Sequence, residues 1–289
     1  MTDATLTSGA SARLWVTLAR INPKHLIVFL ITLVLVVGQT RYGILGGYDR
    51  LLTALGVSLA TEAVLSRLIR GRVVSLSSAY ITGISLSLLT KPQAHILWPF
   101  ALGAFLAIAS KYVLVYRDRH LWNPSNFAIS FLLLAAGEHV AILSHQWGND
   151  LATNAVIWAF GLVIAARARV LHVTAAYVLS FVILAVARNL IIGGPLVAEI
   201  APITGPMYQL FIFFMITDPR TTVSTARGRV VVVALVALLE ALLRLGGDFH
   251  VAWLRPFYPS PPILALALVG PLAMWWDLRR SPAAERPAA

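Results

Sequence analysis

Apolar runs long enough to cross a bilayer recur along nearly the whole chain, and no other feature limits its folding so strongly. A spanning helix needs about 20 mostly apolar residues, because the α-helix rises about 1.5 Å per residue and the hydrocarbon core is about 30 Å thick. Segments of this kind fall at about 25–43, 50–69, 74–90, 94–115, 124–142, 150–167, 170–192, 202–217, 229–246 and 260–278. Of the 289 residues 58% are hydrophobic and 12% charged, about half the charged share of an ordinary soluble domain. The pattern predicts an all-α integral membrane protein with about ten transmembrane helices. The bilayer is therefore its first partner.

The formal net charge is +11, but nucleic acid is not expected. The basic residues stand singly or in twos and threes between apolar runs, as cytoplasmic loops of membrane proteins do. If all ten segments cross and the amino terminus is inside, the inside regions hold all 23 lysines and arginines except Arg41, Arg50, Lys91, Arg188, Arg244 and Arg255. Treating the third and eighth segments as re-entrant weakens this bias, so ten crossings with both termini in the cytoplasm are predicted. The first 24 residues are polar and no small-residue cleavage site follows the first run, which reads as a retained helix rather than a signal peptide. Residues 281–289, rich in proline and alanine, are expected to be a disordered tail. With no cysteine, cysteine-ligated iron–sulfur clusters, c-type haem attachment and structural disulfides are excluded.

The third and eighth segments differ from the rest. The third is rich in serine (Ser75, Ser77, Ser78, Ser85, Ser87) and stops at Lys91-Pro92. The eighth begins at Pro202 and stops at Asp218-Pro219. Both carry Ala-x-Ile-Thr-Gly, from Ala79 to Gly83 and from Ala201 to Gly205. Each half ends in a helix entered through proline, at Asn123-Pro124 and Pro261-Pro262. The domain reading is a tail (1–24), a first five-helix repeat (25–142), a second (143–280) and a second tail (281–289). Five is odd, so the two repeats are inverted in the bilayer. In inverted-repeat proteins, interrupted segments of the two halves commonly meet near the midplane and build the binding site.

Thr82-Gly83 and Thr204-Gly205 then have two readings, close approach of a ligand to backbone without a side chain or close approach of another helix. Met215-Ile-Thr-Asp-Pro-Arg-Thr-Thr222 with Arg227-Gly-Arg229 is the most distinctive polar stretch. Asp218 is suited to cap a turn; Thr222, Arg227 and Arg229 are suited either to an anionic group such as phosphate or to lipid headgroups. Lys111 either snorkels to the interface or faces a bound anion. Asn123 and Asn126 flank a rigid helix entry and bring amides within reach of a ligand. Glu240 and Arg244, at i and i+4, are expected to pair. Glu62 has no basic residue at i±3 or i±4 and is the candidate for a proton- or cation-linked role. Glu138, His139, His145 and Asp150 gather between the halves, but their spacing fits no metal-ligand signature, and no metal is expected. Phosphate-binding glycine loops, zinc-protease helices and serine-nucleophile motifs are absent.

Three stretches carry a family resemblance: Tyr80-Ile-Thr-Gly-Ile-Ser-Leu-Ser-Leu-Leu-Thr-Lys-Pro92; Lys111 with Trp122-Asn-Pro-Ser-Asn-Phe127; and Phe214-Met-Ile-Thr-Asp-Pro-Arg-Thr-Thr222 with Arg227-Gly-Arg229. Through them the chain resembles a membrane family shared by the sodium-translocating NADH:quinone reductase and the Rnf electron-transport complex. It is similar in particular to short actinobacterial members that accompany enediyne biosynthesis genes. The resemblance implies a urea-transporter-like fold of two inverted five-helix repeats in the bacterial plasma membrane. It also implies a component of an electron-transport complex rather than a stand-alone enzyme, with other membrane redox or biosynthetic proteins as partners. Large members carry FMN esterified to threonine in a Ser-Gly-Ala-Thr motif. The nearest string here, Ser8-Gly-Ala-Ser11, lies in the amino-terminal tail, so covalent flavin is not expected. Non-covalent FMN or riboflavin is expected instead, held by Thr82, Gly83, Lys111, Asn123, Asn126, Thr204, Gly205, Asp218, Thr222, Arg227 and Arg229. The competing expectations are a transporter or channel for a small solute or secondary metabolite, and a non-catalytic scaffold of a membrane complex.

Overall fold

The computed structural model of the protein describes residues 23–45, 47–92, 96–142 and 151–280. Residues 1–22 of the amino-terminal tail with the Ser8–Ser11 string, the carboxy-terminal tail, and His145 and Asp150 lie outside the described residues. The first half contains α1 (Pro23–Tyr42), α2 (Tyr48–Arg70), α3 (Ser77–Leu89), β1 (Thr90–Pro92), α4 (Trp98–Val113), β2 (Val115–Tyr116), β3 (Arg119–His120), α5 (Pro124–Ala135) and β4 (Val140–Ile142). The second contains α6 (Leu151–Arg167), α7 (Leu171–Ile192), α8 (Leu196–Ile200), a 3-10 turn (Ala201–Thr204), α9 (Pro206–Leu210), a π-helical turn (Phe211–Met215), α10 (Ala226–Asp248), a 3-10 turn (Ala252–Phe257) and α11 (Pro261–Arg280).

Among the described residues five helices, α1, α2, α7, α10 and α11, are long and apolar enough to cross a membrane. The pieces Leu196–Thr204 and Pro206–Met215 make a sixth if their bent pair is one span. The remaining apolar helices α3, α4, α5 and α6 are shorter. The protein is thus a mostly helical membrane-embedded chain. Its surface agrees: Phe29, Leu52, Leu68, Leu179, Leu190 and Leu272 are exposed while Glu62, Lys111, Asn126, Gln209 and Glu240 are buried. A helix facing lipid has no apolar interior to seek on that side, and its polar groups turn inward.

The structure shortens two expected segments. The fifth ends as a helix at Ala135, and Val140–Ile142 becomes a strand paired antiparallel with Thr90–Pro92. The fourth ends at Val113, followed by the β2–β3 pair, with Arg117 and Asp118 at positive φ in the turn between. Periodicity cannot separate a short apolar strand from the end of an apolar helix.

Within the first half α2 packs on α3 and α4, α4 on α5, and α1 on α3. Within the second half α7 packs on α10, α10 on α11, and α6 on α9. The halves meet where α1 packs on α6 and α5 on α11. Backbone polar groups freed by irregularities find partners, as a low-dielectric surround requires. Pro271 inside α11 has no N–H to give to the carbonyl of Ala267, and the Trp122 indole Nε1 donates to that carbonyl at 2.9 Å.

Candidate functional site

Three polar clusters lie inside this apolar body. The first joins α2, α3 and α4. Lys111 Nζ is 2.9 Å from Glu62 Oε2 and donates to Ser78 Oγ at 3.0 Å; Tyr112 Oη donates to Glu62 Oε1 at 2.8 Å. The snorkelling reading of Lys111 is therefore overturned: the residue is 7% exposed and its ammonium turns inward. Glu62 has its cation, supplied by another helix rather than by its own.

The second cluster is the seam between the halves. Asn123 caps α5 by accepting from the Asn126 N–H, and its Nδ2 donates to Asp218 Oδ2 at 3.0 Å. Asp218 also accepts from the Arg220 N–H at 3.0 Å and from Thr221 Oγ1 at 3.2 Å, a turn-capping carboxylate as expected from its place before Pro219. Asn126, 1% exposed, donates to the Ile263 carbonyl at 2.8 Å. Arg117 reaches the Leu278 carbonyl and Arg119 those of Pro219 and Arg220. His120 stands beside this seam with Nδ1 buried and unpartnered. Burial holds its pKa below the ordinary histidine value; the Asp218 carboxylate pulls the other way, and Lys111, Arg220 and Arg70 reinforce the lowering.

The third cluster lies in the second half. Glu240, 1% exposed, pairs with Arg244 at 3.1 Å as the i,i+4 spacing predicts. It also accepts from Tyr177 Oη of α7 and Tyr208 Oη of α9. Arg244 in turn donates to the Tyr208 hydroxyl oxygen. The rings of Phe181 and Phe211 pack edge-on against these tyrosines. Beside the cluster opens a cavity of about 520 Å³, whose walls include Arg188, Gly205, Met207, Tyr208, Phe211, Arg244, Asp248 and Tyr258. It sits against the eighth segment where the axis bends by 57° between Thr204 and Pro206. Pro206 keeps Gly205 extended (φ −73°, ψ 142°), because proline disfavours the helical conformation in the residue before it. Gln209 Nε2 takes up the Thr204 carbonyl at 3.0 Å across the break.

The two copies of Ala-x-Ile-Thr-Gly therefore differ in conformation. In α3, Tyr80 and Ile84 occupy the positions taken in the second copy by Pro202 and Pro206, so the helix runs on. Thr82 Oγ1 bonds back to the Ser78 carbonyl at 2.9 Å. Gly83 lies so near α2 that a Cβ would stand 3.0 Å from Leu55 Cα, which is the close-packing use of glycine. Thr204 is exposed and bonds to the Ala201 carbonyl. Only Gly205 of the four lines the cavity.

The expected flavin-holding residues thus fall in separate places. Lys111 belongs to the first cluster; Asn123, Asn126 and Asp218 to the seam; Thr82 and Gly83 to the α2–α3 contact; Gly205 to the cavity. Thr222 is buried near the seam in a narrow crevice with Asn123, Asn126 and Met215. Arg229 Nε donates to the Val223 carbonyl, and Arg227 is exposed. They do not line one cavity, so as a set they do not fit a flavin. Tyr177, Tyr208, Arg188, Asp248 and Tyr258 escaped the sequence reading. Two tyrosine hydroxyls inside apolar segments, which need partners there, were the available signal. Among the described residues no group of histidine and acidic side chains could hold a metal ion.

Fold and clusters together define a polytopic helical membrane protein with buried ion pairs and a large cavity at a broken helix. No protein-family model matches the chain, and none of the curated proteins does.

Proposed function

We propose that the chain is a ten-crossing membrane protein of two inverted halves, 25–142 and 143–280, that binds and passes a small solute through the cavity at the broken eighth segment. One observation carries the reading: the cavity of about 520 Å³ lies against the 57° bend and is walled by Tyr208 and Arg244. Interrupted helices supply the binding site in many transporters because only there does backbone and polar side chain face a space inside the bilayer.

Three contacts support ten crossings by parity. Arg70, ending α2, lies over the Tyr112 ring near the end of α4 at 5.3 Å. Those ends share a face, so the chain from α3 through β1 crosses as α4 does. Arg188, near the end of α7, pairs with Asp248 at the end of α10, which supports reading the broken segment as a crossing too. Arg119 before α5 bonds to carbonyls after the broken segment, consistent with four crossings between. The matching neighbour pattern of the two halves, α2–α4 with α7–α10 and α4–α5 with α10–α11, supports the repeat. The arginine and lysine distribution favours cytoplasmic termini, and the family resemblance favours a bacterial plasma membrane.

The test is uptake of radiolabelled amides, sugars and amino acids into proteoliposomes. Uptake of at least one class is expected, with loss in Ala201→Trp, which fills the cavity, and retention in Thr82→Val. Absence of uptake for every class rejects transport.

A second reading is a component of an electron-transport complex acting with redox or biosynthetic partners. The contact between Asn123 and Asp218 favours it, because it joins two of the stretches that carry the family resemblance. On this reading the protein copurifies with a redox protein, and any flavin it carries, held elsewhere than by the expected flavin-holding residues, is released on acid precipitation. A colourless preparation that copurifies with no redox protein rejects this reading.

A further inference from the structure

The two arms of the broken segment are held very differently. Beyond the break, Pro206, Met207, Gln209 and Leu210 are buried. Before it, neither α8 nor the 3-10 turn has a buried residue, although Ala198, Ala201 and Pro202 wall the cavity. An arm that buries so little apolar surface loses little of it by moving.

The arm is bounded by backbone suited to pivoting. Gly193 and Gly194 precede it at φ +80° and +95°, a conformation that glycine adopts freely. Nothing lies within 4 Å of the place a Cβ would take on either. Asn189 Nδ2 holds the Gly194 carbonyl at 3.0 Å, which anchors the pivot on α7. The other end is the extended Gly205.

One side chain ties the arm down. Arg188, whose side chain is 14% exposed, pairs with Glu199 on the arm and, at 2.9 Å, with Asp248 at the end of α10. Arg188 and Asp248 are themselves walls of the cavity, so the residue that ties the arm down also borders the space beside it.

From this arrangement we propose that Leu196–Thr204 is a lid on the cavity, hinged at Gly193–Gly194 and Gly205, with Arg188 as its latch. The lid rests on the cavity being the solute site, and it controls entry to that site. Glu199 is the one charged residue of the arm, so neutralising it removes the ion pair with Arg188 and shifts the population toward the open state.

The chain has no cysteine, so Ser260→Cys, on the cavity wall and 6% exposed, is a unique reporter. Its rate of reaction with a small maleimide is measured on the full chain in mild detergent. Arg188→Gln and Glu199→Gln, each in the Ser260→Cys background, are expected to speed labelling by about tenfold or more, in line with a latch that sets the open fraction. Asp248→Asn, which keeps the Arg188–Glu199 ion pair, is expected to change it less. Glu199 sits on an arm without buried residues, so Glu199→Gln carries the test if Arg188→Gln fails to fold. Unchanged or slower labelling in the folded latch variants overturns the lid. Faster labelling without solute uptake keeps the lid and rejects transport, so the two proposals fail separately.

Discussion

Lys111 Nζ lies 2.9 Å from Glu62 Oε2 across 49 residues of sequence, and this contact pins α4 to α2 inside the first half. Both side chains are nearly fully buried. Removing one partner strands the other charge in a low-dielectric interior, a loss of about 3–5 kcal/mol in comparable buried pairs. Glu62→Leu and Lys111→Met are each expected to lower the melting temperature of detergent-solubilised protein sharply. The double variant Glu62→Leu/Lys111→Met is expected to recover much of the loss. A double variant as unstable as the sum of the singles would mean that the pair is not coupled.

The seam gives a graded prediction. Asp218 accepts three hydrogen bonds, from Asn123, Arg220 and Thr221. Asp218→Ala strands those donors and is expected to cost about 1–3 kcal/mol, whereas Asp218→Asn keeps acceptor capacity and costs less. Thermal unfolding together with protease cleavage in the 216–224 stretch reads both effects. Equal stability of Asp218→Ala and wild type would show that the seam does not hold the halves together.

The two conformations of the repeated pentapeptide predict unequal tolerance to a methyl group. A Cβ at Gly83 meets α2 backbone at 3.0 Å, while one at Gly205 has only the Pro202 carbonyl oxygen, at 3.3 Å. Gly83→Ala should destabilise by about 1–3 kcal/mol, as overpacking does. Gly205→Ala, at an ordinary extended backbone, should be nearly neutral. Melting temperatures of the two variants, compared side by side, decide the point.

His120 makes stability depend on pH. Burial depresses its folded-state pKa below the ordinary 6.5, so the unfolded chain binds the extra proton first. The contribution is complete above pH 6.5 and is lost as pH falls from there through the lower folded-state value. His120→Gln should flatten the fall in melting temperature between neutral and mildly acidic pH. A slope unchanged by the substitution would assign it to other groups.

Much of the architecture was legible because membranes impose one-dimensional rules. Apolar run length gives most of the helices, and glycine and proline mark the eighth segment as interrupted, although its first arm, from Leu196, lies before the expected start at Pro202. An i,i+4 spacing gives Glu240–Arg244, and Asn before Pro gives the α5 cap. The strand at Val140–Ile142 was not legible, since its pairing with Thr90–Pro92 depends on two distant ends arriving together. The candidate site was legible only in part. Gly205 was singled out and does line the cavity, but Thr82 and Gly83 looked equivalent to it and are packing residues. The difference lies in Pro202 and Pro206 against Tyr80 and Ile84, whose effect on the chain is felt only once the helices are assembled.

By itself the sequence determined that this chain is helical, membrane-embedded and interrupted in its eighth segment, because those properties follow from local composition and backbone chemistry. The tertiary structure alone decided which charges meet. Lys111 finds Glu62, Asn123 finds Asp218, and Arg188 finds Glu199 and Asp248, because partners on different helices are chosen by packing geometry. No spacing along the chain encodes that geometry.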